Sequence, residues 1–321
     1  MAYDLEIVNG KASMFWVGKT PWHGLGTELK EAPTIEEGIK QAGLDWGVGL
    51  KGLQTVDDGQ LVGHRAIYRV TDNKILGVVG PAYVPLQNVD AFKWFQPLLD
   101  AGEAKLHTAG SLDEGKKLWV LAEVCKEPLE IAEKDFVRRF ILLSNSHDGT
   151  RAIRAGFTPI RVVCANTLAM SHNDGESKLI KVLHTKNCVT ALEELRKVMN
   201  LANQQFEATA KQYRRLAHHK ISHKDLREYV KIVLGVEKED EKELAPQTMT
   251  KIREILTAAE SGKGNTNPSV QGTLWAGYNG FTEYLSYTYG RNQGNRLSSL
   301  WFGVNANLSQ KALEVALQMA G

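Results

Sequence analysis

The stretch that most restricts what this chain can become is Phe136 to Leu168, FVRRFILLSNSHDGTRAIRAGFTPIRVVCANTL, 33 residues that read as strand, turn, strand and polar cap. Phe136, Phe140 and Leu142 alternate with Arg139, Ile141 and Leu143 up to Asn145, a pattern for a strand buried on one face and largely apolar on the other. Asp148-Gly149 supplies a tight hairpin turn. The return strand sets Arg151, Arg154 and Arg161 among Ile153, Phe157, Ile160, Val162 and Val163, so cations sit on a strand otherwise built for the interior.

Arginine on such a strand has two readings. Its stem can cover apolar surface while its head stays in water. Alternatively, a twisted ribbon can lay several guanidinium forks along a phosphate backbone, each binding oxygens bidentately. From 136 to 185, Arg138, Arg139, Arg151, Arg154, Arg161, Lys178 and Lys181 face only Asp148, Asp174 and Glu176, although the whole chain carries just +2. That small total excludes a protein that coats nucleic acid by bulk charge, so any such contact has to be local.

Around this stretch the pattern predicts an α+β chain: an antiparallel β-hairpin sheet backed by a long helix, followed by a helical C-terminal region. Three segments are expected, an N-terminal arm and short helix over 1–49, an antiparallel sheet domain over 50–187, and a helical region over 188–321. In the first, MFWVGKTPWHGLGTEL is an apolar arm broken by Pro21, Gly24 and Gly26, whose tryptophans need burial against the chain or a neighbouring subunit. His23 reads as a structural turn residue. Thr34-Ile-Glu-Glu37 is a capping box that opens a short helix ended at Gly43. In the second segment, turns at Asp57-Asp58-Gly59 and Asp72-Asn73 separate strands, Asn88 is placed as the cap of an amphipathic helix, and Lys105 to Val124 reads as a hairpin turning through AGSLDEG. A strand over 179–184 and a short helical turn at Asn166-Thr167 complete it.

Beyond Cys188 apolar or semi-apolar residues recur at Leu192, Leu195, Met199, Ala202, Phe206, Thr209, Tyr213 and Leu216, intervals of 3, 4, 3, 4, 3, 4 and 3. Such a seam suits a helix packed on its own sheet or paired with another subunit. Its far end is basic: Leu195 to Arg227 holds eight Lys/Arg and two acids, with Tyr213-Arg214-Arg215 beside His218-His219-Lys220. A solvated helix face explains such charge, and a single-strand groove with an interleaved aromatic explains it as well. The aromatic stripe Trp275, Tyr278, Phe281, Leu285 and Tyr289 reads as core.

Several chemistries are missing from the sequence. There is no GxxxxGK[ST] loop, no GxGxxG after a strand and no GxSxG elbow, and Cys125, Cys164 and Cys188 show no CxxC spacing. No cofactor is called for. His147, Asp148, His172 and Asp174 lie in two echoing segments, SHDG and SHNDG, and could converge on a divalent metal as in a nuclease, but Asp-Gly and Asn-Asp-Gly also simply form turns. The N-terminus lacks a signal-peptide pattern and no run reaches membrane-spanning length, so the expected location is the bacterial host cytoplasm, away from the membrane.

PWHGLGT (21–27), GPAYVPLQN (80–88), TAGSLDEGKKLWVLAEV (108–124), SNSHDGTRAIRAGFTPIRVVCANTL (144–168) and GTLWAGYNGFTEYLSY (272–287) resemble the phage/plasmid-like proteins built on the domain of unknown function 932. The resemblance spans nearly the whole chain. It implies a mobile-element setting beside replication and recombination functions, and brings no settled activity. The order of elements also resembles the fold of single-strand annealing recombinases, an analogy of architecture alone. The resulting expectation is an ATP-independent, sequence-independent single-stranded DNA binding or annealing protein that assembles as a homo-oligomeric ring or filament. Arg138, Arg139, Arg151, Arg154, Arg161, Arg214, Arg215 and Lys220 are its candidate phosphate contacts, with a metal-dependent nuclease or a non-enzymatic host-interaction protein as alternatives.

Overall fold

Turn and cap chemistry sets the element boundaries, beginning with the Thr34–Glu37 capping box, in which Glu37 N–H donates to Thr34 Oγ1 (3.2 Å) and Thr34 N–H to Glu37 Oε2 (3.0 Å). The computed structural model describes residues 5–8, 10–18, 25–161, 180–240, 242–289, 299–300 and 303–321, and only the backbone over 195–205. The strands are β1 (Ile7–Val8), β2 (Lys11–Ala12), β3 (Met14–Val17), β4 (Thr27–Leu29), β5 (Val48–Gln54), β6 (Leu61–Arg69), β7 (Ile75–Val79), β8 (Ala104–Leu112), β9 (Lys117–Val124), β10 (Leu129–Ala132), β11 (Asp135–Ser146), β12 (Ile153–Arg161) and β13 (Ile180–Val182). The helices are α1 (Ile35–Gln41), α2 (Asn88–Lys93), α3 (Gln96–Asp100), α4 (Cys188–His218), α5 (His223–Leu234), α6 (Pro246–Ser261), α7 (Leu274–Tyr287) and α8 (Val304–Met319).

The chain is α+β, and its main sheet runs β13-β12-β11-β9-β8-β3-β4 with β10 also paired to β11; β5-β6-β7 forms a separate three-stranded meander. All pairs with a given register are antiparallel except β3 with β4. Two compact units share the chain without following its order. The first gathers Met1–Lys126, Phe140–Phe157 and Ser177–Leu201, the second Glu127–Arg139, Thr158–Glu176 and Ala202–Gly321. β11, β12 and α4 each contribute residues to both units.

In the first unit the N-terminal arm is a strand. β3 pairs with β8, Met14 opposite Gly110 and Trp16 opposite Thr108, and Phe15 is fully buried. The tryptophan-rich arm is therefore covered by its own chain at Trp16; Trp22 and His23 lie outside the described residues. The β8–β9 turn starts later than AGSLDEG, because Ala109–Leu112 stay in the ladder and Asp113 to Lys116 turn the corner, with Asp113, Glu114 and Gly115 at positive φ. Phe140 to Ser146 pair with Lys117 to Glu123, and both faces of β11 are buried there.

In the second unit α6 and α7 approach closely. A methyl added at Gly280 would fall 2.5 Å from Ala259 Cα, which explains a glycine inside a helix whose aromatic stripe is core: Trp275, Tyr278, Phe281 and Leu285 are all sealed. The α4 seam is sealed as well wherever its side chains are described in this unit, at Phe206, Thr209, Tyr213 and Leu216. Leu195, Met199 and Ala202 lie outside the described side chains. α4 stops at His218 and α5 starts anew at His223, capped by Ser222, whose Oγ accepts from Asp225 N–H (3.1 Å). Ser222-x-x-Asp225 is the sequence signal for that start. Gly280→Ala is expected to separate α6 from α7 and destabilise the protein by about 1–3 kcal/mol, the range for overpacking; a thermal melt unchanged from the parent would contradict the close approach.

Candidate nucleic-acid interface

The eight arginines and lysines singled out by sequence meet different fates. In the second unit Arg161 is fully buried and all five of its N–H donors are engaged. Nε and Nη2 donate to Asp135 (2.8 Å each), Nη1 to Asn265 Oδ1 (2.8 Å) and Lys263 O (3.5 Å), and Nη2 also to Gly264 O (3.2 Å). Asp135 accepts a further bond from Trp275 Nε1 (2.6 Å). Arg139 is also interior, paired with Glu207 (3.2 Å) and lying over the Phe206 ring at 4.9 Å. Neither can meet a phosphate, so both are corrections to the expected set. Strand alternation could not single them out, because their carboxylate partners lie 26 and 68 residues away along the chain.

What remains in the second unit is a cationic face at the end of α4. Lys211, Arg214, Arg215 and His218 follow helical spacing and share one side; Lys211, Arg215 and His218 are exposed, and Arg214 is half-buried with Nε donating to Glu130 O (2.9 Å). Exposed His219, Lys220 and Lys224 continue it. The connecting backbone is pinned: Ile221 N–H donates to Gly272 O (2.9 Å), Leu274 N–H to His219 O (2.9 Å), and Lys220 Nζ to Gln271 O (2.8 Å). Of the carboxylates on or against α5, Asp225 is engaged in the Ser222 cap and Glu260 lies 3.2 Å from His223. Cations at a helix C-terminus are also favoured by the helix dipole, so the face costs little to maintain. Tyr213 corrects an expectation: it is buried against Trp275 (centroids 4.9 Å apart) and cannot stack on a base. Arg138 is exposed on β11.

Arg151 and Arg154 belong to the first unit, where both are half-buried and Arg154 stands opposite Lys181 in the β12–β13 register. Like charges directly opposite are destabilising, so the register concentrates positive charge at this point of the ladder. Burial and then the charge of Arg151 pull the Arg154 guanidinium below its ordinary range.

The histidine of the central turn also sits in the first unit, and it is sealed inside instead of decorating a loop. Asn88 is not the cap of α2; Gln87 takes that place, and Asn88 Nδ2 donates to Leu44 O (3.1 Å) and Trp46 O (3.0 Å). Its Oδ1 must therefore accept from His147 Nε2 (2.8 Å), which assigns the proton to that nitrogen. Burial, then His184, hold His147 down to about 3, and burial lowers His184 too. Asp148 is raised by burial but lowered more by Ser146, Thr150 and Lys117, and it closes the turn by accepting from Thr150 N–H (2.8 Å). Of the conceivable nuclease set, His172 and Asp174 lie outside the described residues. Among the described residues no group of three His, Cys, Asp or Glu could hold a metal ion, and no helix is long and apolar enough to cross a membrane.

The model of one protein family, a domain of unknown function named DUF932, matches residues 75–301, well over half of the chain. The chain belongs to the DUF932 family. The match takes in β7 through α7, and with them the Asp135–Arg161 pair, the central turn and the cationic end of α4. No curated protein and no solved structure matches the chain.

Because folded His147 binds a proton only near pH 3 while an unfolded histidine does so near 6.5, the unfolded state holds more protons between those values. Stability is therefore expected to fall as pH drops below about 6.5, by up to about 1.4 kcal/mol per pH unit from this imidazole. Chemical denaturation from pH 7 to 4 should show a shallower loss for His147→Gln, whose amide can still donate to Asn88; equal slopes would contradict the sealed neutral imidazole.

Proposed function

We propose that this protein binds single-stranded DNA through its phosphates, without reading sequence, as an ATP-independent binding or annealing protein of a phage or plasmid in recombination or replication. The observation that carries the reading is the exposed face Lys211–Arg214–Arg215–His218, continued by Lys220 and Lys224 on a pinned backbone, in a chain of net charge only +2. Point charges at helical spacing, with the neighbouring aromatic buried, suit phosphate contact and not base stacking. In the first unit half-buried Arg151 and Arg154, with Lys181 opposite Arg154, are a second concentration of positive charge.

Fluorescence anisotropy with labelled single-stranded oligonucleotides across a salt series tests this. Arg215→Ala should weaken every sequence about equally and reduce the salt slope by roughly 0.7, since each neutralised phosphate releases condensed counterions. Arg154→Ala should behave alike. Arg161→Ala should instead destabilise the fold by about 3–5 kcal/mol, the cost of leaving a buried carboxylate without its partner. A parent that binds no oligonucleotide at low salt, or an Arg215→Ala/Lys211→Ala variant that binds as the parent does, would overturn the reading.

A further inference from the structure

The two sequence features that suggested self-association are largely satisfied inside the chain: Trp16 is buried in β3, and Phe206, Thr209, Tyr213 and Leu216 of the α4 seam are sealed. A different surface is left uncovered. At the end of the β5–β6 hairpin every residue from Gln54 to His64 is exposed, and three are large and apolar: Val56 at 100 %, Leu61 at 80 % and Val62 at 43 %. Leu61 and Val62 are successive strand residues, paired with Gln54 and Leu53, so they project from opposite faces and no single layer of this sheet could cover both.

The loop that carries Val56 is shaped from within. Thr55 N–H donates to Gln60 O (2.9 Å), Gly59 N–H to Thr55 O (3.2 Å), and Gln60 N–H to Thr55 Oγ1 (2.9 Å) and Asp58 Oδ1 (3.2 Å). These bonds close the turn and leave Val56 wholly outside. Between Gly52 and Gly63 the charged residues are Asp57 and Asp58, with no lysine or arginine. The tip is therefore acidic and apolar together. Natural proteins cover or charge exposed strand ends, and here the charge is of one sign only, which selects a cationic partner.

The chain itself carries a surface of the complementary kind. Lys211, Arg215, His218 and Lys220 are exposed, and the long stems of lysine and arginine offer aliphatic walls for Val56 and Leu61 while their heads meet Asp57 and Asp58. We propose that the tip of the β5–β6 hairpin docks on the cationic α4–α5 face of a second copy. Tip and face are different surfaces, so the contact either closes as a reciprocal two-fold pair or runs head-to-tail into a ring or filament. The proposal shares the cationic face with the DNA reading without depending on it. If that reading also holds, single-stranded DNA competes with the hairpin for the face.

Sedimentation velocity of the full chain at low salt and without DNA is the test, using two variants. Val56→Lys/Asp57→Lys makes the tip basic and keeps the Asp58 bonds that shape the loop; Lys211→Glu/Arg215→Glu makes the face acidic. The parent should associate with rising concentration, and each variant alone should associate roughly tenfold or more weakly, because like charges then meet. An equimolar mixture of the two variants should associate again, since the basic tip of one suits the acidic face of the other. Circular dichroism checks that both remain folded, and Val56→Ser, neutral and fully exposed, should weaken association by itself. A monomeric parent at tens of micromolar, variants that associate as the parent does, or a mixture that stays monomeric would each overturn the proposal. Failure of the DNA reading would appear separately, as absent anisotropy with a parent that still self-associates.

Discussion

The second unit depends on one buried ion pair. Arg161 and Asp135 are removed from water together, which is costly for each alone and tolerable only if every donor and acceptor is met. Here they are: the guanidinium gives two donors to Asp135 and the rest to Asn265, Lys263 and Gly264, while Asp135 also receives Trp275 Nε1. The pair thereby ties the start of β11 and the end of β12 to the α6–α7 connection and the first turn of α7. Asn265 extends the network, donating to Ala258 O (2.8 Å) and Ala276 O (3.3 Å), so that two helices are held through one amide. The close α6–α7 packing at Gly280 and the pinned backbone that presents the cationic face belong to the same unit.

The first unit solves a similar problem with neutral groups. Asn88 joins the segment before β5 to the central turn by giving its amide hydrogens to Leu44 and Trp46 and its oxygen to His147. Nearby, Gln87 takes both the N–H and the C=O of Val48, at 3.0 Å each, so the edge of β5 is closed by a side chain. Gly77 in β7 leaves room for the Asp148 backbone, where any side chain would collide. A buried imidazole that stays neutral fits this arrangement, because a charge there would have Arg69 as a neighbour of like sign.

The same chemistry that builds the interior sorts the cations. A guanidinium near a carboxylate in a dry place becomes structure, as at Arg139 and Arg161; one on an exposed helix face, such as Arg215, keeps its capacity for an external anion. The DNA reading and the hairpin reading both draw on the exposed class. Self-association through an acidic tip and binding of a polyanion would then oppose each other on one face, a competition settled by charge and salt.

Much of the local architecture was legible in the residues alone. The Thr34–Glu37 box, the turns at Gly59 and Asn73, the strand pair around Asp148-Gly149 and the aromatic stripe of α7 are determined by short-range rules of φ, capping and periodicity, and they need no partner far along the chain. What the sequence could not decide was the company each polar side chain keeps. Asn88 has the signature of a helix cap and serves as a tertiary clamp; Arg161 looks like a strand cation and is the centre of a core; Tyr213 stands between basic residues and faces inward. In each case the deciding partner lies far away in sequence, 59 residues from Asn88 to His147 and 104 from Arg161 to Asn265. Periodicity carries no information over such distances, because hydrogen bonding and desolvation depend on what the folded chain brings within about 3 Å, and only the tertiary structure sets that.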